Sequence, residues 1–399
     1  MNPERTWSRP LLIGLLAIAI GAAGCGASTS QTPRISAGSP TPSPSVSSLP
    51  AASAGATAST TPADVPAGRF LFHRTGPDEV ERYYTIRTDG TDQTAVFERQ
   101  GCSCAHLSAD GKRILTIGET GHGTWSLLTM DLDGNDLLMT DPPIATLNLF
   151  TGATSLDGRV LALEGVDETI PANTGLWVTS PSVTDARQVT PLHEGWRGAA
   201  PLGVTPDASK IVFFVDTGPR GGVTHAGDLY VINSDGSGLK QLNPSGSKLE
   251  DVGMPVASLS RDGTQVAFAV DDAVWVVHLD GGDARAFTAR TGYAWAVQWS
   301  PTSEWLTYTR FHGQTTAVAL IRPDGSDDHE ITPLVETDEA NAAVWSPDGR
   351  YLLVTRDSDA SIDGPRDLWI LDLEGRWIGQ VTHEPSNYAT YSWAPASGS

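Results

Sequence analysis

The densest run of chemistry-bearing side chains is Cys102-Ser-Cys104-Ala-His106. On a strand, alternate residues face the same side, so the two thiols and the imidazole would share one face. Cys, Cys and His form a soft donor set suited to copper or zinc. A full site would need a fourth ligand from elsewhere. Two residues apart on a regular strand is too far for a relaxed disulfide. The alternative is two small buried residues at positions filled elsewhere by Ala340 and Ala342, since a buried thiol often behaves as a small hydrophobe. Asp131-Leu-Asp133-Gly134-Asn135-Asp136 superficially resembles a calcium loop. It lacks the distant Glu of such a loop and reads as a turn. There is no phosphate loop, no dinucleotide fingerprint, and no Gly-x-Ser-x-Gly elbow set between a strand and a helix. No cofactor is expected.

The third cysteine, Cys25, has a different setting. Met1 to Arg9 carries Arg5 and Arg9, and Leu11 to Gly24 is an uncharged apolar run. Such a run is short for a bilayer span but suits a signal-peptide core. It ends in Ala22-Ala23-Gly24-Cys25, which resembles the lipobox of bacterial lipoproteins, with Ala22 where Leu is commonest. The resemblance implies cleavage after Gly24, diacylglycerol on the Cys25 sulfur and acylation of the new amino terminus. Two or three chains anchor a protein stably. Residues 26–67 are almost entirely Ser, Thr, Ala, Pro and Gly, a composition that buries no core and forms an extended tether. Three regions follow: 1–24 signal peptide, 25–67 lipidated Cys and stalk, 68–399 folded part.

Composition bounds the partners. The chain has 399 residues, 47 acidic against 26 basic, and a net charge of -21. This surface repels phosphate backbones and anionic lipid headgroups. Nucleic acid is excluded as a partner, and membrane attachment rests on the anchor. A monomer is expected.

From Arg69 onward the chain repeats. The clearest unit spans 340–382 and reads ANAAVWSPDGRYLLVT, a polar loop, then DLWILDLEGRWIGQVT. Its first turn recurs from Leu107, Thr154, Val204, Leu259, Trp299 and Trp345, so the spacing runs from 40 to 55 residues. Its second turn recurs at Asp89-Gly90, Asp131 to Gly134, Asp235-Gly236, Asp280-Gly281, Asp324-Gly325 and Asp372 to Gly375. Units tend to end in Thr, at Thr190, Thr288, Thr332 and Thr382. Four short strands per unit at this period mark a propeller blade. Arg69 to His73 starts on a second strand, and Ala389 to Pro395 supplies a lone first strand. Pairing the two removes the open sheet edges. The expected fold is all-β: a seven-bladed β-propeller of four-stranded blades, closed by a C-terminal strand completing the first blade.

Trp-Ser-Pro-Asp-Gly followed by Leu-Trp-x-x-Asp resembles the WD-like repeats of the TolB family over roughly residues 69 to 399. TolB itself carries an α/β domain before its propeller, where this chain has only the stalk, so its translocation-system role is not carried over. Similar propellers precede α/β-hydrolase domains in prolyl peptidases, a reading that the missing elbow disfavours.

The loops between second and third strands, and those between blades, should open on one face. The ligand candidates there are His193, Trp196, Arg197, His225, His312 and His383, with His122, Asp167, Glu168 and Arg220 beside them. Tyr293, Trp295, Tyr388 and Tyr391 precede or enter inner strands, and Trp299, Trp345 and Trp393 should pack between blades. The leading expectation is an envelope scaffold that binds a protein or glycan. The alternative is a metal-dependent enzyme acting on a polysaccharide, since oligogalacturonate lyases use a similar propeller with metal-holding histidines. Fold alone does not choose between them.

Overall fold

The computed structural model describes residues 65–75, 80–100, 105–119, 125–140, 147–180, 185–218, 225–251, 257–270, 273–282, 284–288, 294–312, 315–332, 335–336, 343–357, 366–383 and 388–395. These residues form seven antiparallel sheets of four strands, two of them with an extra short strand on the third. Blade one orders Tyr388–Pro395, Gly68–Thr75, Val80–Arg87 and Thr94–Gln100 from the inside outward. Blade two runs His106–Leu107, Arg113–Glu119, Trp125–Asp131, Leu138–Thr140, and blade three Leu147–Thr154, Leu161–Asp167, Gly175–Thr179, Arg187–Pro191. Blade four holds Gly198–Val204, Lys210–Asp216, His225–Asn233 and Lys240–Gln241. Blade five holds Ala257–Leu259, Gln265–Val270, Ala273–His278 and Arg285–Thr288. Blade six holds Ala294–Trp299, Leu306–His312, Thr315–Ile321 and His329–Glu330. Blade seven holds Val344–Trp345, Tyr351–Asp357, Arg366–Asp372 and Trp377–Gln380.

The turn between first and second strands is built by local chemistry. Ser346 Oγ donates to Asp348 Oδ1 at 2.7 Å and accepts from the Tyr351 amide at 2.9 Å. Asp348 Oδ1 also accepts from the Arg350 amide at 3.1 Å. The hydroxyl-carboxylate pair recurs as Ser108–Asp110, Ser155–Asp157, Thr205–Asp207 and Ser260–Asp262. Blade six substitutes Thr302 for the Asp, and its hydroxyl lies 3.2 Å from Ser300. Gly349 closes the turn at φ +72, a left-handed conformation, and a Cβ there would stand 3.0 Å from Thr302 Cγ2 of the preceding blade.

The second turn is also an Asp-centred one. Asp131 Oδ1 accepts from the amides of Asp133 and Asn135 at 3.0 and 2.7 Å, so this carboxylate caps its own backbone. The calcium-like run is a turn, as the sequence suggests. The terminal Thr residues have a comparable local task. Thr382 Oγ1 accepts from the Leu368 amide at 2.9 Å, and Thr332 Oγ1 from Val318 at 2.8 Å, continuing the ladder past the end of the outer strand.

Seven hydrophobic clusters lie in the described residues, and each spans one seam between neighbouring blades. Trp299, Trp345 and Trp393 are buried in three of them. The ring closes where Gly68–Thr75 pairs with Tyr388–Pro395, from Gly68 opposite Pro395 to Arg74 opposite Tyr388. A side chain at Gly68 would run into the Ala394 carbonyl, so close approach requires glycine there.

Candidate functional site on the loop face

His193, Trp196 and Arg197 occupy the connection from blade three to blade four. His193 is exposed, and its Nε2 lies 3.1 Å from Thr190 Oγ1. Its ring stands 4.6 Å from that of Trp196, which meets Tyr230 at 5.0 Å and Phe213 at 6.0 Å. The half-buried Trp196 thus roofs the seam core, while the Arg197 amide donates to the Asp216 carbonyl at 2.9 Å. These three candidates do come together, with Tyr230 as a member that sequence spacing did not single out.

The other candidates are dispersed. His225 opens the third strand of blade four, opposite Asp251. His383 is exposed just after the last strand of blade seven, near the buried Asp367. Burial pushes the Asp367 carboxyl up, against the opposing pull of the Thr382 hydroxyl and His383. His106 sits on the inner strand of blade two opposite Leu115. Its neighbours Ala105 and Leu107 pack on the seam with blade one, so alternation puts His106 on the other face. Cys25, Cys102, Cys104, His122 and Arg220 lie outside the described residues. Among the described residues, no group of three His, Cys, Asp or Glu side chains is placed to hold a metal ion.

His312 belongs to a network that crosses blade six. Tyr308, Arg310 and His312 alternate on one face of the second strand, and Asp328 and Glu330 come from the outer edge. His312 Nε2 lies 2.6 Å from Glu330 Oε1, which also accepts from Arg310 at 3.1 Å. Tyr308 donates to Asp328 at 2.7 Å, and Arg310 pairs with Asp328 as well. The strand between them is crossed over Ala317 and Ala319, whose small side chains leave the path open. Burial pushes the Glu330 carboxyl up, but the bonds from His312 and Arg310 prevail and hold it below its ordinary range. Burial is also the main reason the Tyr308 hydroxyl is held above its ordinary range. The alternation of residues 308, 310 and 312 was readable in the sequence. Their carboxylate partners were not, because they come from two strands away.

A second cluster escaped the sequence reading. Arg356, exposed at the end of blade seven's second strand, stacks over Trp369 at 4.8 Å and Trp377 at 4.6 Å. The two indoles meet edge to face at 5.9 Å.

No protein-family model matches the chain. A curated relative, the Tol-Pal system protein TolB of Anaeromyxobacter dehalogenans (strain 2CP-C), is 31% identical over 176 residues, 44% of this chain and 32% of the relative. The chain thus spans about a third of that relative's length. Among solved structures, the oligogalacturonate lyase from Vibrio parahaemolyticus aligns with a TM-score of 0.53 at 16% identity, covering 81% of this chain and 86% of that one. An oligogalacturonate lyase in complex with manganese aligns with a TM-score of 0.50 at 15% identity, covering 78% and 85%. At such identities the structural likeness concerns the fold. The described part of this chain is a seven-bladed β-propeller, and the chain is similar over 176 residues to a Tol-Pal system protein TolB.

Proposed function

We propose that this protein is a lipid-anchored scaffold on the extracytoplasmic side of the cell membrane, where its propeller binds another envelope protein. The observation that carries the reading is the 31% identity to a Tol-Pal system protein, extending over 176 residues. The chain adds two supports. Cys25 closes an apolar leader in a lipobox-like setting, ahead of a Ser/Thr/Pro-rich stalk. The closed ring of seven seam cores makes a rigid disc that presents loops on one face, the usual division of labour in recognition. Among the described residues no helix is long and apolar enough to cross a membrane. Attachment is assigned to acyl chains on Cys25, on its lipobox-like setting in the sequence.

The test is photo-crosslinking of the full chain in native membranes, with the reactive group placed at Trp196 or beside Arg356. A discrete adduct with an envelope protein supports the reading. Absence of any protein adduct from either position overturns it.

A second reading, a metal-dependent enzyme acting on a polysaccharide, is favoured by the propeller likeness to an oligogalacturonate lyase in complex with manganese. Among the described residues, no three His, Cys, Asp or Glu side chains are placed to hold one metal ion. A manganese-dependent rise in melting temperature, lost on His312→Ala or His193→Ala, would transfer the assignment to this reading.

A further inference from the structure

Blades six and seven place an arginine at the same point of their second strands. Arg310 and Arg356 follow Ser300 and Ser346 of the first turn by equal distances. Their surroundings differ. Arg310 is buried and pairs with Asp328 and Glu330. Arg322, stacked over Trp305 at 4.2 Å, also has a carboxylate, with Asp327 at 2.7 Å. Arg356 lies over two indoles that meet edge to face and is exposed, and among the described residues no carboxylate forms an ion pair with it. This occurs in a chain whose acidic residues outnumber basic ones 47 to 26.

From this contrast the geometry points to Arg356, framed by Trp369 and Trp377, as the anchor of a docking surface for a carboxylate-rich segment of a protein partner. The inference rests on the protein-binding reading above and supplies its surface. Both indoles lie within cation–π range of the guanidinium, whose N–H donors form a planar fork. That planar fork matches a carboxylate bidentately. A preordered, partly dehydrated cation loses little on engaging its partner, and Trp and Arg are the side chains that most often dominate interfaces. A sugar ring fits less well, because the guanidinium already takes up one face of each indole. Complementarity of charge selects the occupant: the exposed Arg356 guanidinium, with no carboxylate paired to it among the described residues, attracts an acidic segment to a protein of net negative sign.

The test measures binding of a short fluorescein-labelled Glu-rich peptide to the full lipidated chain in detergent, with polygalacturonate as competitor. Arg356→Gln should weaken peptide binding by about tenfold or more, the loss expected of an interface anchor. Arg356→Lys should also weaken it, because an ammonium lacks the fork. Arg322→Gln removes the same charge from a stacked arginine that already has a carboxylate, and should change binding by less than about twofold. Unchanged melting temperatures of the variants separate docking from folding. The proposal is overturned if the wild type does not bind the peptide, if Arg322→Gln and Arg356→Gln lose equally, or if polygalacturonate is the tighter ligand. Crosslinks to an envelope protein that persist in Arg356→Gln would sink this anchor and leave the scaffold reading standing. Loss of all protein crosslinks in the wild type would remove the scaffold reading itself.

Discussion

Phe70 and Trp393 meet edge to face with ring centroids 4.6 Å apart, directly opposite one another in the register that joins the two ends of the propeller. The contact lies in the seam between blades seven and one, with Tyr351, Leu353 and Ile370. It joins strands from the two ends of the folded part, and its loss leaves a cavity in that seam. Trp393→Ala is expected to lower unfolding stability by about 3–5 kcal/mol, the range for a buried Trp truncation. Urea denaturation followed by circular dichroism would read this as a lower midpoint. A midpoint equal to wild type would show that the ring does not depend on the closing strand.

His73 is the most deeply buried histidine of the described residues, and its Nδ1 has no hydrogen-bond partner among them. Burial lowers its pKa from 6.5 to about 4. Between these values the unfolded chain binds the proton and the folded chain does not. Stability is therefore full above about pH 6.5 and falls as pH drops toward about 4, by up to about 3 kcal/mol from this group. His73→Phe should flatten that part of the pH profile while keeping the packing against Tyr83. An unchanged slope in urea titrations between these pH values would reject the assignment.

The Arg310 network should respond unequally to removal of its members. Arg310→Leu leaves Asp328 and Glu330 facing each other without their cation. The cost is about 3 kcal/mol, the low end for a broken buried pair, because both carboxylates retain some water. Adding Asp328→Asn and Glu330→Gln should recover part of it, by removing the uncompensated charge. A triple variant less stable than Arg310→Leu alone would contradict this ordering.

The first turns give a second, lower pH window. Asp207 is lowered from 3.8 to about 2 chiefly by the hydrogen bond from the Thr205 hydroxyl, followed by bonds from Ser209. A depressed carboxyl contributes stability that is present above its unfolded value and lost as pH falls through the folded one. Asp157, Asp262 and Asp348 are lowered too and should act in the same window. Acid unfolding should be steep between about pH 4 and about pH 2, and shallower in Asp207→Asn. The check is ellipticity against pH for the two proteins.

Cys25→Ala should shift the protein from the detergent to the aqueous phase in Triton X-114 partitioning, since multiple acyl chains on that residue are the proposed attachment. Retention in the detergent phase would place the attachment elsewhere.

The blade architecture was legible because its signals are local. A hydroxyl two residues before an Asp, then a Gly free to take positive φ, closes four of the six first turns, and Ala208 and Ser303 take the positive φ in the other two. The same holds for Asp131 and Asp372 in the second turns. Even the closure followed from strand accounting, since an unpaired first strand and an unpaired second strand leave one way to remove both edges. Apart from Trp299, Trp345 and Trp393, the seam contacts had no such local mark. Which loop residues converge depends on the rotation from blade to blade, and this is set by the side chains packed in each seam. His193, Trp196 and Arg197 are near one another because one connection carries all three. His312 and His383 were both read as loop-face candidates, yet His312 joins Arg310 and Glu330 while His383 lies near Asp367. Arg310 and Arg356 occupy one register and differ in chemistry because Glu330 and Asp328 stand on one outer edge and Trp377 on the other. The sequence determined the repeat, the blade number and the closing strand. The tertiary structure alone decided which cation was neutralised and which was left exposed, because partners two strands away meet only after the sheet has formed.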